Sequence, residues 1–336
     1  MRAPLHSPRQ TPFALGLVIA LVSAVTFGSS GTFGSALMAT GWSPGAVVTA
    51  RIVGAALLLA VPAVVAMRGR WHLLRPNLSR ILAYGLFAVA GCQLAYFLAV
   101  DHLSVGVALL LEYLAPVLIV AWMWLRHARR PSALTSVGVV AAIVGLVLVL
   151  DVTSGASIDL VGVLWGLMAA LGLVVYFLAA AHGDEALPPI SLAGGGLAVG
   201  AVSLVVAAAS GLLPTSASTA DVVLAGARLP WWSAVLELAL VAGAIAYATG
   251  IAATRALGST VASFVGLSEV LAAIAFAWVL VGEAMTPVQL VGGLAILAGV
   301  VAVKLGEGEG PGAAPLPADD VDAAGLAEFG TPEEVH

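Results

Sequence analysis

Ten apolar runs divide this chain, each near or above the roughly 18–20 residues that an α-helix needs to cross a bilayer. They lie at about 13–38, 45–67, 80–100, 104–125, 133–151, 159–181, 189–210, 231–254, 259–281 and 286–305. In lipid every backbone amide must find its partner within the chain, so only helices and closed barrels span. Runs this long without alternation predict an all-α polytopic membrane protein with ten transmembrane helices. Composition agrees: 61% of the 336 residues are hydrophobic and 9% are charged, against about 25% charged in a soluble domain. The run at 13–38 contains Gly28, Ser29, Ser30, Gly31 and Gly34, an interruption that lipid tolerates only where neighbours or a polar cavity satisfy the backbone. Arg2 and Arg9 before it suit a signal peptide, but no small-residue cleavage site follows, and it reads as the first membrane helix.

The net charge of -5 resides mostly in residues 307–336, a stretch of Gly, Pro, Ala and acid that predicts a disordered acidic cytoplasmic tail. The loop at 211–230, rich in Ser, Thr and Ala, reads as a passive external linker. Cys92 is the one cysteine, so neither an intrachain disulfide nor a cysteine metal cluster is expected. No cofactor, metal or nucleic-acid partner is expected, and the oligomeric state is left open.

Cations fix the direction of threading. With both termini cytoplasmic, the inner segments hold Arg2, Arg9, Arg68, Arg70, Arg75, Arg80, Arg126, Arg129, Arg130, Arg255 and Lys304, and the outer loops hold Arg228. That asymmetry is the positive-inside pattern and places the chain in a bacterial plasma membrane.

The chain also repeats itself. Sliding 103–149 onto 257–303, an offset of 154 residues without a gap, gives eleven identities in 47 positions. Trp124 meets Trp278, Gly138 meets Gly292 and Gly145 meets Gly299. At the loop between the two repeated helices the first copy carries Arg126, Arg129 and Arg130, and the second carries Glu283 without a cation. Five helices per half, and opposite loop charge, are what two inverted copies produce.

The end of the second copy reads Gly282-Glu283, Thr286, Gln289, Gly292, Gly293 and Gly299, and the first carries Leu103-Ser104-Val105-Gly106-Val107-Ala108, Pro116-Val117 and Arg130-Pro131. In these motifs the chain resembles EamA-type members of the drug/metabolite transporter superfamily, with repeats over 12–152 and 158–306. The resemblance implies a secondary transporter that moves small metabolites, often outward, through a cavity between the halves. Val270 stands where Pro116 has its match, although members often carry proline there, so the second half is expected to bend less at that point.

Ionisable groups deep in lipid cost about 2.5–3.5 kcal/mol each on insertion scales, so each needs a reason. Glu112 lies near mid-depth of helix 4 beside Tyr113, and Pro116 removes the donor that its carbonyl would use. Glu269, beside Ser268 in helix 9, stands three places past Glu112 in the repeat, almost one turn, so both carboxyls can face one cavity. Desolvation favours the uncharged form of a carboxyl, which suits proton exchange. Arg51 in helix 2 and Glu237 in helix 8 share a depth and are expected to form an ion pair; alternatively Arg51 meets the carboxylate of a solute. Gln93, Tyr96, Trp165, Tyr176 and Tyr247 have the depth and chemistry of cavity residues. Gly162, Gly166, Gly172 and the paired glycines read as close helix packing.

These residues favour a transporter of small solutes, such as amino acids or related compounds, with possible proton coupling. Two alternatives differ in class. Gly28-Ser29-Ser30-Gly31 fits the pattern of intramembrane serine hydrolases, with Ser30 as nucleophile, but every histidine lies at a helix end, loop or terminus, so a base is missing. A non-transporting scaffold or channel would leave Glu112 and Glu269 buried at cost.

Overall fold

The computed structural model describes residues 13–127, 132–150, 159–181 and 187–307. Arg2, Arg9, Arg129, Arg130 and the acidic tail from residue 308 onward lie outside the described residues. The helical segments are α1 (Phe13–Met38), α2 (Pro44–Ala66), α3 (Trp71–Val100), α4 (residues 105–127), α5 (Ala133–Val149), α6 (Leu160–Ala181), α7 (Pro189–Ala209), α8 (Trp231–Leu257), α9 (residues 259–281) and α10 (Pro287–Glu307). Among the described residues eight of them are long and apolar enough to cross a membrane; the shorter apolar helices are α5 and residues Leu160–Tyr176 of α6. α3 begins nine residues before the apolar run at 80–100, because Trp71, His72 and Arg75 keep helical hydrogen bonding while lowering the hydropathy.

Leu57, Val61 and Val64 on α2, and Val140, Ile143 and Val147 on α5, are exposed apolar faces suited to lipid. The Gly/Ser stretch of α1 does not break it, and Gly28 to Thr32 are buried inside a continuous helix. The glycines bring other helices close. A Cβ on Gly31 would lie 2.1 Å from the Tyr96 hydroxyl, and one on Gly34 would lie 2.2 Å from the Phe97 ring.

The repeat is written in the backbone. α4 breaks at Tyr113 and Leu114, between Val105–Glu112 and Ala115–His127, and α9 breaks at Leu267, between Ser259–Gly266 and Ser268–Phe276. Tyr113 moved by 154 residues is Leu267, so the two breaks are equivalent. The second copy breaks without proline: the Ser268 hydroxyl bonds the Val265 carbonyl at 2.6 Å, competing with the helix's own ladder. Its break is one residue long rather than two. The same offset carries the π-helical stretch Tyr84–Gly91 of α3 onto 238–245, within the π-helical stretch Glu237–Ile245 of α8. This correspondence lies outside the part of the sequence that visibly repeats.

The copies run in opposite directions. A Cβ on Gly138 would come within 2.6 Å of the Gly299 carbonyl, and one on Gly145 within 2.5 Å of the Gly292 carbonyl. The repeat mates therefore cross over, and α5 lies antiparallel on α10. α4 and α9 are antiparallel as well, since Val105 meets Glu283 and Tyr113 meets Glu269.

The loop at 211–230 is not a passive linker. It forms an antiparallel hairpin, β1 (Val222–Leu224) and β2 (Ala227–Leu229), with Val222 opposite Leu229. Among the described residues the fold is thus helical with one small hairpin. The Ala225 amide bonds the Leu280 carbonyl at 2.6 Å, the Trp42 indole bonds the Ser218 carbonyl at 2.8 Å, and Ser43 holds Pro214 at 2.8 Å. The loop thereby joins the α1–α2 corner of the first half to the end of α9 in the second.

Candidate functional site

Two clusters form between the halves. The first is built on Arg51, about 10 Å along α2 from its start at Pro44 by helical rise. Its Nη1 donates to Gln93 Oε1 on α3, and its Nη2 donates to the Ala242 carbonyl at 2.8 Å within the π-helical stretch of α8. The Phe27 and Phe97 rings flank the guanidinium, with centroids 5.9 and 5.8 Å from its central carbon. Tyr247 stands edge-on to Phe27 at 4.9 Å.

The expected ion pair of Arg51 with Glu237 is not made; among the described residues the pair within 4.0 Å is His102–Asp159. Glu237 instead accepts from the Ser29 hydroxyl of α1 at 2.5 Å. Arg51 is taken up instead by neutral acceptors, Gln93 and the Ala242 carbonyl.

The second cluster joins the broken helices. Glu112 ends the first piece of α4, is buried, and accepts weakly from the Cys92 thiol at 3.4 Å, which also reaches the Ala169 carbonyl of α6 at 3.3 Å. The Tyr113 hydroxyl lies 3.0 Å from the Gly266 carbonyl and 2.9 Å from Glu269 Oε2. Glu112 and Glu269 thus stand on either side of one tyrosine, and Arg51 lies within electrostatic range of both.

The remaining candidates divide. Tyr96 is buried against α1 beneath Gly31. Tyr176 lies 5.8 Å from the Tyr84 ring and near Gly250 of α8, so it reaches the centre. Trp165 is half-buried against the apolar core, and the Ser268 hydroxyl is occupied by its own helix. Ser30, the nucleophile of the hydrolase alternative, is buried on α1. Phe27, Ser29, Cys92 and Phe97 are not among the site residues expected from the sequence. Their partners lie on other helices, and only the glycines of α1 hinted at the close approach. Glu283 is another addition: its carboxylate accepts from the Val105 amide at 3.0 Å and caps α4 from the opposite half.

Comparison with known proteins agrees with this architecture. The model of the EamA-like transporter family matches residues 14–151 and again 160–305. The threonine/homoserine exporter RhtA of Escherichia coli (strain K12) is 25% identical over 307 residues, covering 89% of this chain and 93% of that protein. The uncharacterized inner membrane transporter YicL of Salmonella typhimurium (strain LT2) is 24% identical over 303 residues, covering 86% and 95%. A solved crystal structure, 20% identical, covers 87% of this chain and 97% of its own with a TM-score of 0.58, a likeness of fold.

Proposed function

The chain belongs to the EamA-like transporter family, and from that premise we propose that it is a secondary active exporter of small metabolites of the amino-acid kind. The reading includes ten membrane crossings in two inverted halves, 12–152 and 158–306, in a bacterial plasma membrane, with both termini cytoplasmic. Relatives named as threonine/homoserine exporters support the solute class, and the inner cations support the orientation.

The observation that carries the mechanism is the Tyr113 joint between the two breaks. A phenol has one proton, and here it has two acceptors. With Glu269 ionised, the proton points to the carboxylate. With Glu269 protonated, the carboxyl donates to the phenol oxygen and the phenol turns to the Gly266 carbonyl. A proton on Glu269 thereby rewires the contact between the halves, and Glu112, at the same joint, senses that charge. Rocking of α4 against α9 about this joint exposes the centre to alternate sides.

The test is transport by purified protein in proteoliposomes with an imposed pH gradient. Glu269→Gln and Glu112→Gln are expected to lose gradient-driven transport while solute exchange persists. Full gradient response in both variants removes the coupling role.

A further inference from the structure

Two side chains of opposite charge each keep one buried polar atom without a partner. One is Nε of Arg51, the other Oε2 of Glu237. The Arg51 guanidinium is 0% exposed. Its two bonded nitrogens meet neutral acceptors, Gln93 and the Ala242 carbonyl. Nothing in contact neutralises it, and an uncompensated buried charge is strongly destabilising. Glu237 spends one oxygen on Ser29 and leaves the other buried.

Both side chains meet α8: Glu237 belongs to it, and Arg51 bonds its Ala242 carbonyl. Glu237 and Ala242 are five residues apart in the π-helical stretch Glu237–Ile245, in which hydrogen bonds run from i to i+5. They therefore share one face of α8, roughly 7 Å apart along the axis at the rise of an ordinary helix. Ser29 and Phe27 approach this face from α1 and Arg51 from α2.

We propose that Arg51 and Glu237 form a receptor for the zwitterionic head of an α-amino acid: the carboxylate takes Arg51 Nε and the ammonium takes Glu237 Oε2. The inference rests on the transport reading above and specifies its solute. Each contact would be a charge-assisted bond of about 2.8 Å. Each orphan is then satisfied, and the charge of Arg51 gains a contact partner. Glu112 and Glu269 are the competing seats for the ammonium, but among the described residues Glu237 is the carboxylate with a buried oxygen left without a partner. Phe27, Phe97 and Tyr247 close the apolar side, which favours a short side chain. The device is a difference of affinities: a solute with one of the two charges leaves the other orphan buried and unpaired.

The test uses the purified full chain in proteoliposomes, with counterflow of radiolabelled threonine. Homoserine, threoninol (no carboxylate) and 2,3-dihydroxybutyrate (no ammonium) serve as competitors, and ligand-induced shifts in Tm give direct binding. Threonine and homoserine are expected to bind, with each singly charged analogue at least tenfold weaker; this series needs only the wild-type chain. Glu237→Gln should weaken threonine about tenfold and leave 2,3-dihydroxybutyrate unchanged, because the lost partner is the ammonium's. Arg51→Gln should do the converse with threoninol. Equal binding of threonine and either analogue overturns the proposal, as does Glu237→Gln weakening 2,3-dihydroxybutyrate as much as threonine. Transport of some other solute with no response to zwitterions also overturns it while leaving the transporter reading intact; no transport of any solute fails the transporter reading instead.

Discussion

The phenol of Tyr113 donates to a carboxylate oxygen of Glu269 at 2.9 Å, and these two residues stand at the equivalent breaks of α4 and α9. A hydrogen bond to a charged group contributes about 1.5–3 kcal/mol, and each ~1.4 kcal/mol is tenfold in an equilibrium. Tyr113→Phe is expected to slow gradient-driven transport about tenfold or more. The double variant Tyr113→Phe/Glu269→Gln should be no slower than the worse single one, because both remove the same bond. Fully additive losses in proteoliposome assays would separate the two residues.

Gly138 and Gly299 hold α5 and α10 at backbone contact. Gly138→Leu forces those helices apart and should cost about 1–3 kcal/mol, the range of overpacking. Gly292→Leu at the crossed position should cost the same, whereas Val137→Leu, on an exposed face, should change little. Thermal unfolding in detergent reads all three, and a Gly138→Leu protein as stable as wild type contradicts the crossing.

The hairpin turn has Ala225 at φ 50° and Gly226 at φ 78°, the pair of positive angles for which Asn-Gly is favoured. A left-handed alanine costs about 1–2 kcal/mol. Ala225→Asn should recover part of that and slow proteolytic cleavage within 211–230. Faster cleavage would show that the strain lies elsewhere.

Asp159 caps α6, accepting from the Val161 and Gly162 amides at 3.0 Å each, and meets the His102 ring at 2.9 Å. The Gly162 amide first, and His102 next, hold its carboxyl below the ordinary 3.8. The folded chain binds this proton less readily than the unfolded one. Its contribution is therefore complete above the unfolded pKa and is lost as pH falls through the lower folded value. Asp159→Ala should lower Tm at about pH 7, and the difference from wild type should shrink as pH falls below the ordinary 3.8 and through the lower folded value. A difference that persists undiminished in acid would point to packing rather than ionisation.

Much of the scaffold was legible because lipid leaves few choices. A run of twenty apolar residues has one way to satisfy its amides, so the helical runs, the EamA resemblance and the repeat between 103–149 and 257–303 all followed from the sequence. Glu112 and Glu269 stood out for the same reason, as charges that lipid penalises. The loop at 211–230 was misjudged: Ser, Thr and Ala describe its surface, while its order comes from Trp42, Ser43 and Leu280, far along the chain.

The sequence by itself determined the medium, the helices and the duplication, since these depend on hydropathy and spacing along one dimension. Tertiary structure alone decided which partner each buried polar group takes. Arg51 and Glu237 share a depth, and depth predicts a salt bridge, yet Arg51 goes to Gln93 and Ala242 while Glu237 goes to Ser29. Hydrogen bonds are settled over fractions of an ångström, by where glycines let helices approach and by where π-turns and breaks rotate a side chain. Those displacements have no counterpart in the order of residues until the helices are packed.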